Sequence, residues 1–165
     1  MLKIRPAARE DTATILDLIR ELAEYERLAH EVTATDQMLA ECLFGARPTA
    51  ESVVAEWEGQ IVGFALFFTN FSTFLAKPGL YLEDLYVKPS ARGQGIGKAL
   101  LIHLAGLAIE RDYGRFEWAV LDWNEPALEF YAAHGAVMMH DWRLHRVSGQ
   151  ALHKLAEEQS VATVN

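Results

Sequence analysis

The sequence is poor in cysteine, has no long apolar run and is short of positive charge. Its 165 residues include one cysteine, Cys42, so no disulfide can close within the chain and no cysteine-based metal cluster exists. No stretch of about 20 apolar residues occurs, which excludes a membrane-spanning helix. The opening residues, MLKIRPAARED, turn charged at once and lack the apolar run of a signal peptide. A cytoplasmic protein with no membrane partner is the simplest expectation. The formal net charge is −8, which argues against a nucleic-acid partner, since phosphates need a basic patch. An acidic surface attracts cations instead, although it also simply keeps a protein soluble. The six histidines include no H-x-x-x-H helical pair, so no metal site is expected. Repeats, low-complexity tracts and linkers are missing as well. The chain, 1–165, therefore reads as one domain with a frayed tail from about Glu157.

What is present is a regular succession of elements. Leu2 to Arg5 reads as a strand stopped by Pro6. Asp11 can cap a helix with the apolar stripe Ile15, Leu18, Ile19 and Leu22. Thr33 or Thr35 starts a second helix, with Met38, Leu39, Cys42 and Leu43 on its apolar side and Gly45 at its end. Ser52 to Trp57 and Ile61 to Thr69 form a hairpin about Glu58-Gly59. After a loop at Lys77-Pro78-Gly79, the strand LYLEDLYV runs to Val87. A helix over Lys98 to Arg111 buries Leu100, Leu101, Leu104, Leu107 and Ala108, and Gly114 stops it. Phe116 to Leu121 is a strand, and Glu125 to His134 is a helix capped by Asn124 and ended by Gly135. Val137 to Met139 and Trp142 to Val147 read as closing strand segments. The order β-α-α-β-β-β-α-β-α-β predicts an α/β (α+β) fold. Its hairpin-and-meander start implies a mixed, mostly antiparallel sheet flanked by helices. A Rossmann domain would alternate from its first strand.

The stretch RGQGIG, Arg92 to Gly97, raises its own question, because three glycines precede a helix and glycine there costs backbone entropy. A strand-loop-helix junction of this kind points backbone N–H groups outward, and the helix N-terminus adds partial positive charge. The result suits a pyrophosphate, which glycines let approach the backbone. Arg92 and Lys98 can add charge. The spacing Gly93, Gly95, Gly97 is neither the dinucleotide fingerprint nor a P-loop. A glycine-rich turn that binds nothing would look the same.

These residues also carry a resemblance. Arg92, Gly95 and Gly97 match the signature Q/R-x-x-G-x-G/A of the acetyl-CoA loop in the GNAT superfamily of N-acetyltransferases. YLEDLYV, WNEPALEFY with the following GA, WRL, the early IRPA and LAEYE extend the likeness from about Ile4 to Leu155. The chain is similar to the diamine branch of that superfamily, which acts on spermidine, spermine and thialysine. The resemblance implies a GNAT fold, acetyl-CoA as co-substrate, a small primary amine as acceptor and a homodimer.

It also implies site residues. The pyrophosphate would sit on Arg92, Gly93, Gln94, Gly95, Ile96, Gly97 and Lys98. The pantetheine arm would run along Leu85, Tyr86 and Val87. Asn124, Glu125, Pro126 and Ala127 match a second cofactor contact, though Asn124 equally serves as a helix cap. Tyr131 matches the general acid that protonates the departing thiolate, and a phenol with a pKa of about 10 suits that task. The spacing alone fits a core tyrosine beside Phe130. Glu83 matches the base that deprotonates the amine through water. Strand alternation sets it beside Tyr81, Leu85 and Val87, with Asp84 on the other side unless a bulge intervenes. Tyr25, Glu26, Glu83, Asp84, Glu117, Trp118, Ala119 and Asp141 match substrate-lining positions. GAVMMHDWRL is shorter than its counterpart in polyamine enzymes, so a shorter amine such as thialysine, lysine or ornithine fits as well.

Three other functions compete. A CoA-binding sensor would need neither Glu83 nor Tyr131. An acetyltransferase for protein amines would need an open groove. A nicotinamide-binding protein fails on strand order and glycine spacing. Cys42, expected on the apolar side of its helix, is a poor acyl carrier, because buried cysteines are inert.

Overall fold

The computed structural model describes residues 1–158. The chain divides into two compact units, Met1–Trp123 and Asn124–Asn165.

The first unit is built on one sheet. Its strands are β1 (Leu2–Pro6), β2 (Glu51–Trp57), β3 (Gln60–Ser72), β4 (Lys77–Val87) and β5 (Phe116–Trp118), and they lie in chain order across the sheet. The first four pair antiparallel and β5 pairs parallel to β4. The sheet is thus mixed and mostly antiparallel, as the element order predicts. The helices are α1 (Thr12–Tyr25), α2 (Asp36–Phe44) and α3 (Ile96–Glu110).

Burial explains these elements. Ile15, Leu16 and Leu18 of α1 and Leu39 and Leu43 of α2 form one cluster with Val54, Phe64 and Tyr86 of the sheet. Leu100 and Leu104 of α3 are wholly buried, and α3 packs against β4, β3, β2 and β1. Burying one such side chain contributes about 1.5–3 kcal/mol. Glu58 and Gly59, both at positive φ (52° and 81°), make the tight turn that matches strand twist in a two-residue hairpin.

Several details depart from the pattern. Lys77, Pro78 and Gly79 belong to β4, paired with Ser72, Phe71 and Asn70. β5 is half its expected length, for a reason that lies on β4 and is given below. Thr35 caps α2 with its hydroxyl, accepting from the Met38 amide at 3.3 Å. Met38 and Cys42 of α2 are exposed. They form an i, i+4 row beside the buried Leu39–Leu43 row, and a helix this short turns one row to the core. Asp11 precedes α1 without capping it through its side chain, because Arg5 takes its carboxylate.

The second unit holds α4 (Glu125–Ala132) and α5 (Gly149–Glu157). The Asn124 side chain accepts from the Ala127 amide at 3.4 Å, and Gly135 adopts φ +88° just beyond α4. The closing strands expected at Val137–Met139 and Trp142–Val147 are not formed. Among the described residues this segment has no strand partner, and its apolar side chains, Trp142 and Leu144 included, are exposed. Alternating hydrophobicity makes a strand only where a neighbour supplies the ladder. The frayed tail expected from about Glu157 falls largely outside the described residues. No helix among the described residues is long and apolar enough to cross a membrane.

Candidate active site

The glycine turn comes first. β4 ends at Val87, a single 3-10 turn spans Pro89–Ala91, and α3 begins at Ile96. Gly93 and Gly95 stand at φ +77° and +74°. An added Cβ at either would meet no atom within 4 Å. The glycines are therefore required by backbone conformation, and the space before them is open. Gly95 is the helix N-cap and offers no side-chain acceptor. The first amides of α3, at Ile96, Gly97 and Lys98, thus point their N–H groups outward without such a cap. The residues fit an anion of phosphate type.

A bulge in β4 comes next. Leu82 pairs with Phe67 and Asp84 with Leu66, so Glu83 is an extra residue with no partner on β3. A bulge shifts the side-chain alternation by one. Asp84 shares the face of Tyr86, the side on which α1 packs, and the bulge sets both opposite Leu82. Glu83 is exposed. The bulge also explains the short β5. Its ladder runs Phe116, Glu117, Trp118 against Leu80, Tyr81, Leu82 and stops where the extra residue breaks the register. From Asp84 to Val87, β4 pairs with β3 alone among the described strands. That leaves the backbone groups of Leu85 and the amide of Val87 for an extended ligand.

The end of α1 brings charge to this place. Burial pushes the Asp84 carboxyl up to about 7, with further help from the Glu83 and Glu26 carboxylates. Glu26, the residue after α1, is also raised by burial. Negative charges crowded and partly desolvated in this way are relieved by a cation. Tyr25 stacks near Trp123 at 6.2 Å, and the Arg27 guanidinium lies 5.0 Å from the Trp123 ring.

Arg92 is placed differently from its expected role. Its Nε donates to the Val87 carbonyl at 2.9 Å, and its guanidinium lies 5.4 Å from the Tyr25 ring and 5.5 Å from that of Tyr86. Tyr86 is buried and its hydroxyl donates to Glu21 at 3.2 Å. Any contact it makes with the pantetheine arm therefore uses its backbone. Lys98 is exposed in the first turn of α3, directly after the glycine turn.

The other expected residues fall into separate groups. Glu117 on β5 accepts from the Asn70 amide at 3.0 Å and lies 2.7 Å from Arg115 Nε, so its charge is already matched. Trp118 packs edge-on to Phe116, and Ala119 follows the strand. In the second unit, Asn124, Glu125, Pro126 and Ala127 form the first turn of α4. Tyr131 lies on the same helix, half-buried, its ring 5.3 Å from Phe130. Asp141 is exposed in a turn. Sequence reasoning missed Trp123 and Glu21. Trp123 stands directly before the Asn124 cap, but nothing local shows which rings it will meet.

Comparison with known proteins follows the same line. The profile of the Acetyltransferase (GNAT) family matches residues 14–136. The chain is 39% identical over 164 residues to a thialysine N-epsilon-acetyltransferase of Bos taurus, covering 93% of this chain and 96% of the relative. It is 33% identical to an L-ornithine N5-acetyltransferase of Arabidopsis thaliana, covering 91% and 86%. Among solved structures, an integron cassette protein from the mobile metagenome of V. cholerae superposes with a TM-score of 0.79 at 29% identity, covering 94% of this chain and 98% of that one.

Proposed function

The chain belongs to the acetyltransferase (GNAT) family, whose members take their acetyl group from acetyl-CoA, and on that premise we propose direct transfer of the group to the primary amine of a small cationic substrate. Thialysine, lysine and ornithine have the right size and charge, and the thialysine and ornithine enzymes among its relatives act on such amines. The observation that carries the reading is the carboxylate group of Glu26, Glu83 and Asp84, with Asp84 held near 7. It is a place that gains stability by receiving an ammonium.

Each residue then has a task. Asp84 and Glu26 hold the ammonium by charge. Glu83, exposed at the bulge, takes one proton from it through water, since an ammonium with a pKa near 10 cannot attack until deprotonated. The free amine attacks the thioester carbonyl, the carbon–sulfur bond breaks as the new amide forms, and the nitrogen gives its extra proton to water, from which Tyr131 later regains the one it donates. Tyr131 supplies the proton that the departing thiolate takes up. The glycine turn and Lys98 hold the pyrophosphate, and the open edge of β4 holds the pantetheine arm. The protein would work as a cytoplasmic homodimer.

Exposure of Cys42 removes burial as a reason against an acyl-cysteine route. Direct transfer instead predicts full turnover by Cys42→Ser. The central test is thiol release from acetyl-CoA across spermidine, spermine, putrescine, thialysine, lysine, ornithine and a lysine peptide. Selective turnover of one short diamine or amino acid is expected. Turnover of the peptide alone would transfer the reading to protein amines, and binding of acetyl-CoA without any turnover would favour a sensor.

A further inference from the structure

We propose that Arg92 is a positioning residue that ties the glycine turn to the amine-binding end of α1, rather than a ligand of the pyrophosphate. The proposal rests on the amine acetyltransferase reading above.

The geometry supports it at three points. The Nε–H bond to the Val87 carbonyl spans the turn between β4 and α3, so the side chain folds back over the strand end. The guanidinium then lies over two rings, Tyr25 from the last turn of α1 and Tyr86 from β4, at nearly equal distances. Both rings are fixed from behind. Tyr86 is held by Glu21, which also lies 3.6 Å from Lys88. Tyr25 abuts Trp123, whose ring carries Arg27. Arg27, Trp123, Tyr25, Arg92 and Tyr86 thus form one connected series of cations and rings.

Its consequence is specific. Tyr25 is followed directly by Glu26, one of the carboxylates that raise Asp84. Fixing the Tyr25 ring fixes the residue that delivers Glu26 charge to the amine site. Arginine is needed for its planar, delocalised cation, which reaches both rings, and for its Nε donor. A lysine has the charge and neither of these features. A phosphate ligand would tolerate the exchange better, because a lysine still serves a phosphate as a point charge.

The test separates the two roles by substrate. Arg92→Lys and Tyr25→Leu are compared with wild type in the Michaelis constants for amine and acetyl-CoA, and then combined. Each single change is expected to raise the amine constant about fivefold, the worth of one exposed cation–ring contact. The acetyl-CoA constant should stay within twofold, and the double variant should be no worse than either single. Should Arg92→Lys fail to fold, Tyr25→Leu reads the same contact from its other side. A rise in the acetyl-CoA constant with the amine constant unmoved overturns the proposal, as do strictly additive effects. Absence of amine turnover in wild type overturns the underlying reading, and this proposal with it.

Discussion

Glu26 at the end of α1 and Asp84 on β4 belong to different elements, yet the charge of the first raises the pKa of the second. Asp84 lies on the α1 side of the sheet because the extra residue Glu83 sets it opposite Leu82. Its consequence for stability has a definite sign. The Asp84 carboxyl titrates near 7 in the folded protein and near 3.9 unfolded. Between those values the folded state binds the extra proton, so stability falls as pH rises through the window. Three units correspond to an upper figure of about 4 kcal/mol. Asp84→Asn should therefore be more stable than wild type at pH 8 and similar at pH 4. Thermal unfolding across that range checks it, and parallel curves for the two proteins would refute it.

An amine cation should reverse that shift, because an opposite charge favours the ionised carboxylate. Binding of ornithine or thialysine near pH 6.5, without acetyl-CoA, is expected to release protons. Calorimetry in two buffers of different ionisation heat measures the number. Asp84→Asn should abolish the release, and an unchanged release in that variant would place the titrating group elsewhere.

The two proposed proton carriers have separate kinetic signatures. Tyr131→Phe should lower turnover by at least about a hundredfold, the usual worth of a positioned acid, with acetyl-CoA affinity within twofold. Glu83→Gln should be most impaired at neutral pH and partly recover at high pH, where free amine is abundant. A constant ratio to wild type across pH would remove Glu83 from the base role, and wild-type rates in Tyr131→Phe would do the same for the acid.

Much of this was legible in the residues, and what was not has a common cause. The stripe of α1, the Glu58-Gly59 turn and the glycine turn are local, and each was found where the pattern set it, whereas Met38 and Cys42 of the α2 stripe are exposed. The bulge at Glu83 is not local. It is set by how Leu66 and Phe67 of β3 register against β4, and no periodicity in LYLEDLYV marks it. The same bulge ends β5 early and turns Asp84 onto the face opposite Leu82. Arg92 shows a second limit. Its place in a glycine motif suggests phosphate contact, while the rings that hold it come from positions 61 residues apart, at Tyr25 and Tyr86. The apolar segment from Val137 to Val147 shows a third. Alternation there predicts strands, but among the described residues no neighbour supplies their hydrogen bonds.

Two glycines in open space should respond to alanine with opposite sign. Gly95 and Gly106 both lack any atom within 4 Å of an added Cβ. Gly95 has φ +74°, so alanine there strains the backbone by about 1–2 kcal/mol. Gly106 lies inside α3, where alanine gains about 1 kcal/mol over glycine. Gly95→Ala should therefore melt lower than wild type and lose acetyl-CoA affinity, while Gly106→Ala melts higher. Gly95→Asn should fall between Gly95→Ala and wild type, since asparagine tolerates the left-handed region. Equal melting temperatures for Gly95→Ala and wild type would mean that the turn does not need its conformation.

The Asp11 carboxylate accepts from both terminal nitrogens of Arg5, at 2.6 and 3.0 Å, and from the Ala8 amide at 2.7 Å. Arg5 also reaches Glu56 at 2.9 Å, so one guanidinium joins β1, β2 and the start of α1. Asp11 is buried, and the Arg5 hydrogen bonds hold its pKa below the usual carboxylate value. The stability it contributes is present above that usual value and is lost as pH falls through the lower folded one. Removing one partner from a pair this enclosed leaves the other charge without compensation, at a cost of about 3 kcal/mol. Asp11→Asn should consequently unfold well below wild type at pH 7. The gap should narrow as pH drops beneath about 3.9, where an unfolded aspartate is itself protonated. Denaturant titration at pH 7 and pH 3 measures both gaps, and equal gaps would show that the carboxylate's charge contributes nothing.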